Sequence, residues 1–292
     1  MLDSIVENLC SVLKDFLLFI LGIYNNLAGK AVGMLGENPT SWNKDGWKFA
    51  ENVNAVFLGV AAALVVIFFL IGFCSESVDV RQELRMESIL RMFLKLSIAE
   101  YFTVNSITIV KNSFVIATGF IDKISKKGMS FEFEIPEEIN AILTDPVNHS
   151  MSGWGGLGWT LVLFILTLVF LLVAYGCGMM ILYEAFVRFF KILMLVPYGT
   201  LANSTLAGNH TLAHSAVSFW KYALGTILEA VTMYMALVLS ATVLGSGVIN
   251  LTSGSTGALY VVGWVLESSF VCMLTLGIVK GASSVTQKAL GL

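Results

Sequence analysis

Four ionisable side chains sit inside long apolar runs of this sequence: Glu100, Lys111, Glu229 and Glu267. A charge surrounded by hydrocarbon is costly, so such residues turn toward a protein interior or water, and they mark ion or substrate pathways and polar helix contacts. Glu267 is the sharpest of them, near the middle of the run 257–279. With Ser268 and Ser269 beside it, it suits either a functional carboxyl or a hydrogen-bonded packing contact between helices. Other chemistry has little to stand on. The run Gly153-Trp154-Gly155-Gly156-Leu157-Gly158 satisfies the dinucleotide-binding spacing G-x-G-x-x-G, but it follows a polar loop and opens an apolar run, without the strand that the motif requires. His210 and His214 are spaced to share a helical face, yet no third ligand accompanies them. Cys10, Cys74, Cys177 and Cys272 are far apart and read as isolated apolar residues. With no G-x-S-x-G elbow and no P-loop, the sequence predicts no enzyme, no cofactor and no metal.

The elements that carry these residues are membrane helices. Of 292 residues, 57% are hydrophobic and only 13% charged, whereas soluble domains carry about 25% charge. The formal net charge of −3 gives no general footprint for nucleic acid, so any contact with DNA would be local. Runs long enough for roughly 30 Å of hydrocarbon fall at 54–74, 96–121, 157–183, 222–248 and 257–279. The expected fold class is therefore all-α: a polytopic integral membrane protein with about five transmembrane helices. An external amphipathic N-terminal region at 1–53 precedes a membrane domain at 54–292. In the run 96–121, Glu100 and Lys111 fall about 20° apart on a helical wheel, while Ile98, Phe102, Ile109, Ile116 and Phe120 cluster opposite. Along a straight helix these two charges are separated by a rise of roughly 16 Å, too far for a direct pair. Each needs another span, an interface or water.

Orientation follows from the basic residues. An external N-terminus and a cytoplasmic C-terminus put Arg81, Arg85, Arg91, Lys95, Arg188 and Lys191 in inner segments 75–95 and 184–221, with 280–292 also inside. Those six are expected as headgroup anchors or as a docking surface for a cytoplasmic partner. Lys123, Lys126 and Lys127, in the outer loop 122–156, count against this orientation. The acid-rich remainder of that loop is expected to be solvated or to form an external docking element, with a short strand around Phe131 to Ile135. Residues 2–24 predict an amphipathic helix with Ile5, Leu9, Val12, Phe16, Ile20 and Ile23 on one side, either lying in the membrane interface or crossing as a whole. Pro197 should break or kink a helix. That leaves 184–220 as a re-entrant pair, a cytoplasmic hairpin or a further span.

The N-terminal amphipathic helix, about five spans, a sizeable loop, and the basic helix end Tyr183-Glu184-Ala185-Phe186-Val187-Arg188-Phe189-Phe190-Lys191 running to Pro197 form a recognisable arrangement. It resembles the TrbL-like polytopic inner-membrane components of conjugative type IV secretion systems, in their shorter forms from Gram-positive mobile elements. The resemblance covers most of the chain, and it offers no catalytic or binding motif to carry over residue by residue. It implies a non-enzymatic, homo-oligomeric subunit in the bacterial cytoplasmic membrane. Such a subunit works beside other secretion-system membrane subunits and ATPases, and contacts transferred single-stranded DNA or relaxase indirectly. Glu100 and Lys111 would then face a lumen or a neighbour. A secondary transporter or small solute channel is the alternative, although no internal repeat is visible.

Overall fold

The computed structural model describes residues 2–77, 86–126, 133–149, 153–245 and 257–291. They form α1 (Leu2–Gly36), α2 (Pro39–Trp42), α3 (Lys44–Ser77), α4 (Met86–Val104), α5 (Ser106–Ser125), α6 (Glu137–Thr144), α7 (Gly153–Ser204), a 3-10 turn (Thr205–Ala207), α8 (His210–Gly245) and α9 (Ala258–Ala289). Among the described residues there is no strand. Phe131 and Glu132 of the expected strand lie outside the described residues, and Phe133 to Ile135 carry no regular structure. Among the described residues, Lys44–Ser75, Gly153–Ala207, His210–Thr242 and Ala258–Ala289 are long and apolar enough to cross a membrane; a fifth crossing is counted only if the bent pair α4 and α5 forms one. The expected spans 54–74, 157–183 and 257–279 fall on α3, α7 and, but for Gly257, α9, while 222–248 falls on α8 as far as Gly245.

Three sequence expectations change. The run 96–121 is not one straight helix: α4 and α5 meet at 66° around Asn105, so Glu100 and Lys111 lie on different helices and the wheel that joined them does not apply. Of the break or kink expected at Pro197, the break does not occur, since α7 continues without interruption to Ser204. The N-terminal helix does not end near residue 24 but at Gly36. Its buried residues include Val6, Cys10, Leu13, Leu17, Ile20, Leu21, Tyr24, Ala28 and Ala31; of the expected face Ile20 is buried, Leu9, Phe16 and Ile23 are half-buried, and Ile5 and Val12 are exposed.

The chain divides into two compact units. The first contains Met1–Leu35, Ile124–Ala185 and Met233–Ala282, and the second contains Gly36–Lys123, Phe186–Thr232 and Ser283–Leu292, so α7, α8 and α9 contribute to both.

In the first unit, α1 follows the early part of α7 in one direction. The Asp3 carboxylate accepts from the Gly153 backbone N–H at 2.9 Å, where an acid suits a helix start. The Cys10 thiol lies 3.8 Å from the Thr160 hydroxyl, and the rings of Phe16 and Phe164 stack at 6.3 Å. Further along, Leu27 and Tyr24 close on Gly178, where a side chain would crowd Leu27. The two helices therefore share one orientation relative to any membrane. Residues 133–149, expected to be solvated or to form an external docking element, pack onto this unit. The Asn25 amide both accepts from Phe133 N–H at 3.1 Å and donates to its carbonyl at 2.9 Å. Lys14 Nζ donates to Thr144 Oγ1 at 3.1 Å, the Tyr260 hydroxyl donates to Glu138, and Ile139, Ile142 and Leu143 bury the inner face of α6.

In the second unit, Asn38 accepts from Thr40 N–H at 3.2 Å with Pro39 at the first helical position, and Asn43 Oδ1 accepts from Gly46 N–H at 2.8 Å to open α3. Trp47, Val110, Phe114, Ala117, Ile192, Val196 and Ile227 form its main apolar cluster. Val65, Ala99 and Ala207 join α3, α4 and the 3-10 turn in a second cluster. Gly199 of α7 lies against the start of α5, where an added Cβ would collide with Ser106 Oγ, a buried hydroxyl with no hydrogen-bond partner among the described residues. Gly199→Ala is expected to destabilise the protein by about 1–3 kcal/mol, as overpacking does. Adding Ser106→Ala should restore most of that loss. Thermal unfolding of the two variants in detergent checks both.

Candidate functional site

The polar interior of the second unit is built on α7 and α8. Arg188 is 3% exposed. Its Nε donates to the Thr226 carbonyl at 3.1 Å and its Nη2 to the Ile227 carbonyl at 3.0 Å. Both carbonyls belong to the interior of α8, so the guanidinium uses their second lone pairs. Glu229, 8% exposed, lies within electrostatic reach of the same guanidinium. The Phe189 ring centroid is 5.9 Å from the guanidinium carbon, and Trp42 covers that ring at 4.5 Å. A planar fork on two successive carbonyls fixes both the rotation and the height of α8 against α7.

A second node lies at the α4–α5 bend. Asn203, fully buried, donates from Nδ2 to the Phe102 carbonyl at 2.8 Å, and its Oδ1 accepts from Trp220 Nε1 at 2.7 Å. Asn105 Nδ2 donates to the Tyr101 carbonyl at 2.9 Å, beside the regular backbone bond to the same oxygen. Side chains that bond back to the carbonyl four residues earlier accompany bent helices. One amide thus ties the bend to α7 and α8 together.

The sequence-derived candidates separate into distinct groups. Glu229 and Arg188 are brought together, and Arg188 is a buried helix-to-helix tie where a headgroup anchor was expected. Glu100 and Lys111 are exposed on either side of the bend. Glu267 is half-buried in the first unit, next to Ser268, whose buried hydroxyl has no partner among the described residues. Lys191 and Arg91 are exposed and Lys95 is half-buried, while Arg81 and Arg85 lie outside the described residues. His214 Nδ1 lies 3.3 Å from Ser218 Oγ, and no group of metal-ligand residues gathers among the described residues. Asn203 and Trp220 escaped the sequence reading: Asn203 sits in a Gly-, Ser-, Thr- and Asn-rich stretch that reads as a helix breaker. The available signal was a lone amide among apolar neighbours, which needs a partner when buried.

Removing Arg188 takes a positive charge from beside the buried Glu229 carboxylate. Arg188→Met should therefore lower stability by about 3–5 kcal/mol, and the double variant Arg188→Met/Glu229→Leu by much less. Folded yield in membranes and unfolding temperature measure the difference; equal losses would refute the coupling.

No protein-family model, no curated protein and no solved structure matches this chain.

Proposed function

We propose that this chain is a non-enzymatic channel or platform subunit of a conjugative type IV secretion system, of the TrbL-like kind, that works as an oligomer in the bacterial cytoplasmic membrane. The observation that carries this reading is the division of its charges. Arg188 and Glu229 are turned inward, whereas Glu100 and Lys111 are exposed on the bent α4–α5 pair. A lone chain in hydrocarbon has nothing to satisfy those two exposed charges, so a polar lumen or a neighbouring subunit completes them on assembly. The helix end from Tyr183 to Lys191, on which the family resemblance rests, supports the same reading. In this proposal the N-terminus is external, the C-terminus is cytoplasmic, and partner ATPases supply the energy for DNA or protein transfer.

Scanning accessibility tests it. In a cysteine-free background, Glu100→Cys and Lys111→Cys should react with a membrane-impermeant maleimide or cross-link to a neighbouring subunit in assembled membranes, and deletion of the chain should abolish DNA transfer. Complete protection at both positions with no inter-subunit cross-link, or transfer that survives deletion, would sink the proposal. A solute transporter is favoured by a different observation, the half-buried Glu267 beside the unpartnered Ser268 hydroxyl. Under the platform reading Glu267→Gln keeps transfer near normal and Glu267→Leu impairs it, because polar packing is what the position supplies. Concentrative uptake by the purified protein, lost in Glu267→Gln, would favour the transporter.

A further inference from the structure

The strap over residues 133–149 leaves a cleft against α1, and it contains charges that the platform reading does not use. Its volume is about 410 Å³, within the range of small-molecule sites. One wall is a single stripe of α1 that includes Lys14, Leu18 and Leu21, and the facing wall carries Glu134, Ile135 and Asn140.

The polar groups differ in what they have left to give. Both ends of the Asn25 amide are committed to Phe133. Lys14 spends one N–H on Thr144 and keeps the others. The Glu134 carboxylate is exposed and, like the Asn140 side chain, makes no hydrogen bond among the described residues. One cation and one anion with spare capacity in a single cleft complement a zwitterion, with its anionic group at Lys14 and its cationic group at Glu134. Leu18, Leu21 and Ile135 line the same cleft, so the ligand also has an apolar body. Leu18 is 48% exposed and the adjacent Phe19 59%, which gives that body a way out along the apolar surface of α1.

We infer that this cleft holds the headgroup of a membrane phosphatidylethanolamine, its phosphate on Lys14 and Asn140, its ammonium on Glu134, and an acyl chain leaving over Leu18 and Phe19. The alternatives lack one element each. Phosphatidylcholine has no N–H to donate to Glu134, phosphatidylglycerol has no cation, and free phosphoethanolamine has no chain for the apolar exit. The inference needs only that the chain is embedded in a membrane, and stands apart from the secretion reading.

Native mass spectrometry of the purified full chain in detergent, titrated separately with these three lipids and with free phosphoethanolamine, tests it. Phosphatidylethanolamine is expected to be retained about fivefold better than the other two, the scale that one net hydrogen bond sets. Glu134→Gln should erase the advantage over phosphatidylglycerol. Lys14→Gln should weaken all three lipids. Circular dichroism confirms that both variants keep the helical content of the parent. Equal retention of the three lipids, an unchanged preference in Glu134→Gln, or binding of free phosphoethanolamine as tight as the lipid would each overturn the inference. Loss of DNA transfer has no bearing on this readout, so the two proposals fail independently.

Discussion

A helix that bends among apolar neighbours exposes backbone groups that only protein can satisfy, and the second unit is organised around meeting that demand. The bend at Asn105 frees the Phe102 carbonyl for a side-chain donor, and Asn203 supplies one. Asn203 can be held there because Trp220 takes its oxygen. The end of α7, the start of α8 and the α4–α5 pair are therefore placed by one amide. The close fit of Gly199 on Ser106 belongs to the same arrangement, since a larger residue there would push α7 away from the bend.

How much of this was legible follows from which physical signal each feature leaves. Apolar runs locate α3, α7, α8 and α9 because burial in hydrocarbon requires length and composition alone. The face of α1 was not legible: Ile5, Val12 and Phe19 form one apolar stripe and Val6, Leu13 and Leu17 another, so periodicity cannot choose between them. What chooses is the packing of the unit around α1, in which Val6, Leu13 and Leu17 are buried while Ile5, Val12 and Phe19 are exposed. The bend was hidden because Asn105 resembles any other polar residue in an apolar run. Its effect depends on Asn203, nearly a hundred residues later. Arg188 was counted among the inner basic residues because a sequence records a charge and not where a long side chain ends.

The strap over 133–149 shows a related limit. Glu132, Glu134, Glu137, Glu138 and Asp145 give this stretch the composition of a solvated loop. Within it, however, Ile139, Ile142 and Leu143 recur at helical spacing, and all three are buried. Glu137 and Glu138 occupy the first turn of α6, where acids complement the helix dipole. Glu138 additionally accepts from Tyr260. Glu137 and Glu138 are thus compatible with docking because they sit on the exposed first turn of a helix whose inner face is apolar.

Arg188 raises a final question of energy. A buried guanidinium near a buried carboxylate recovers little more than the desolvation it costs, and apolar residues of similar volume often serve stability as well. Its contribution must then be sought in geometry. Apolar side chains packed between α7 and α8 would tolerate small slides and rotations, because dispersion is non-directional. Two donors of one rigid guanidinium on the carbonyls of Thr226 and Ile227 tolerate neither. Fixing α8 at that height also fixes Trp220, two turns earlier on the same helix, and through it the Asn203 amide that holds the bend. The exposed charges Glu100 and Lys111 flank that bend, so the buried arginine, through α8 and Asn203, helps hold the angle between the two helices that carry them.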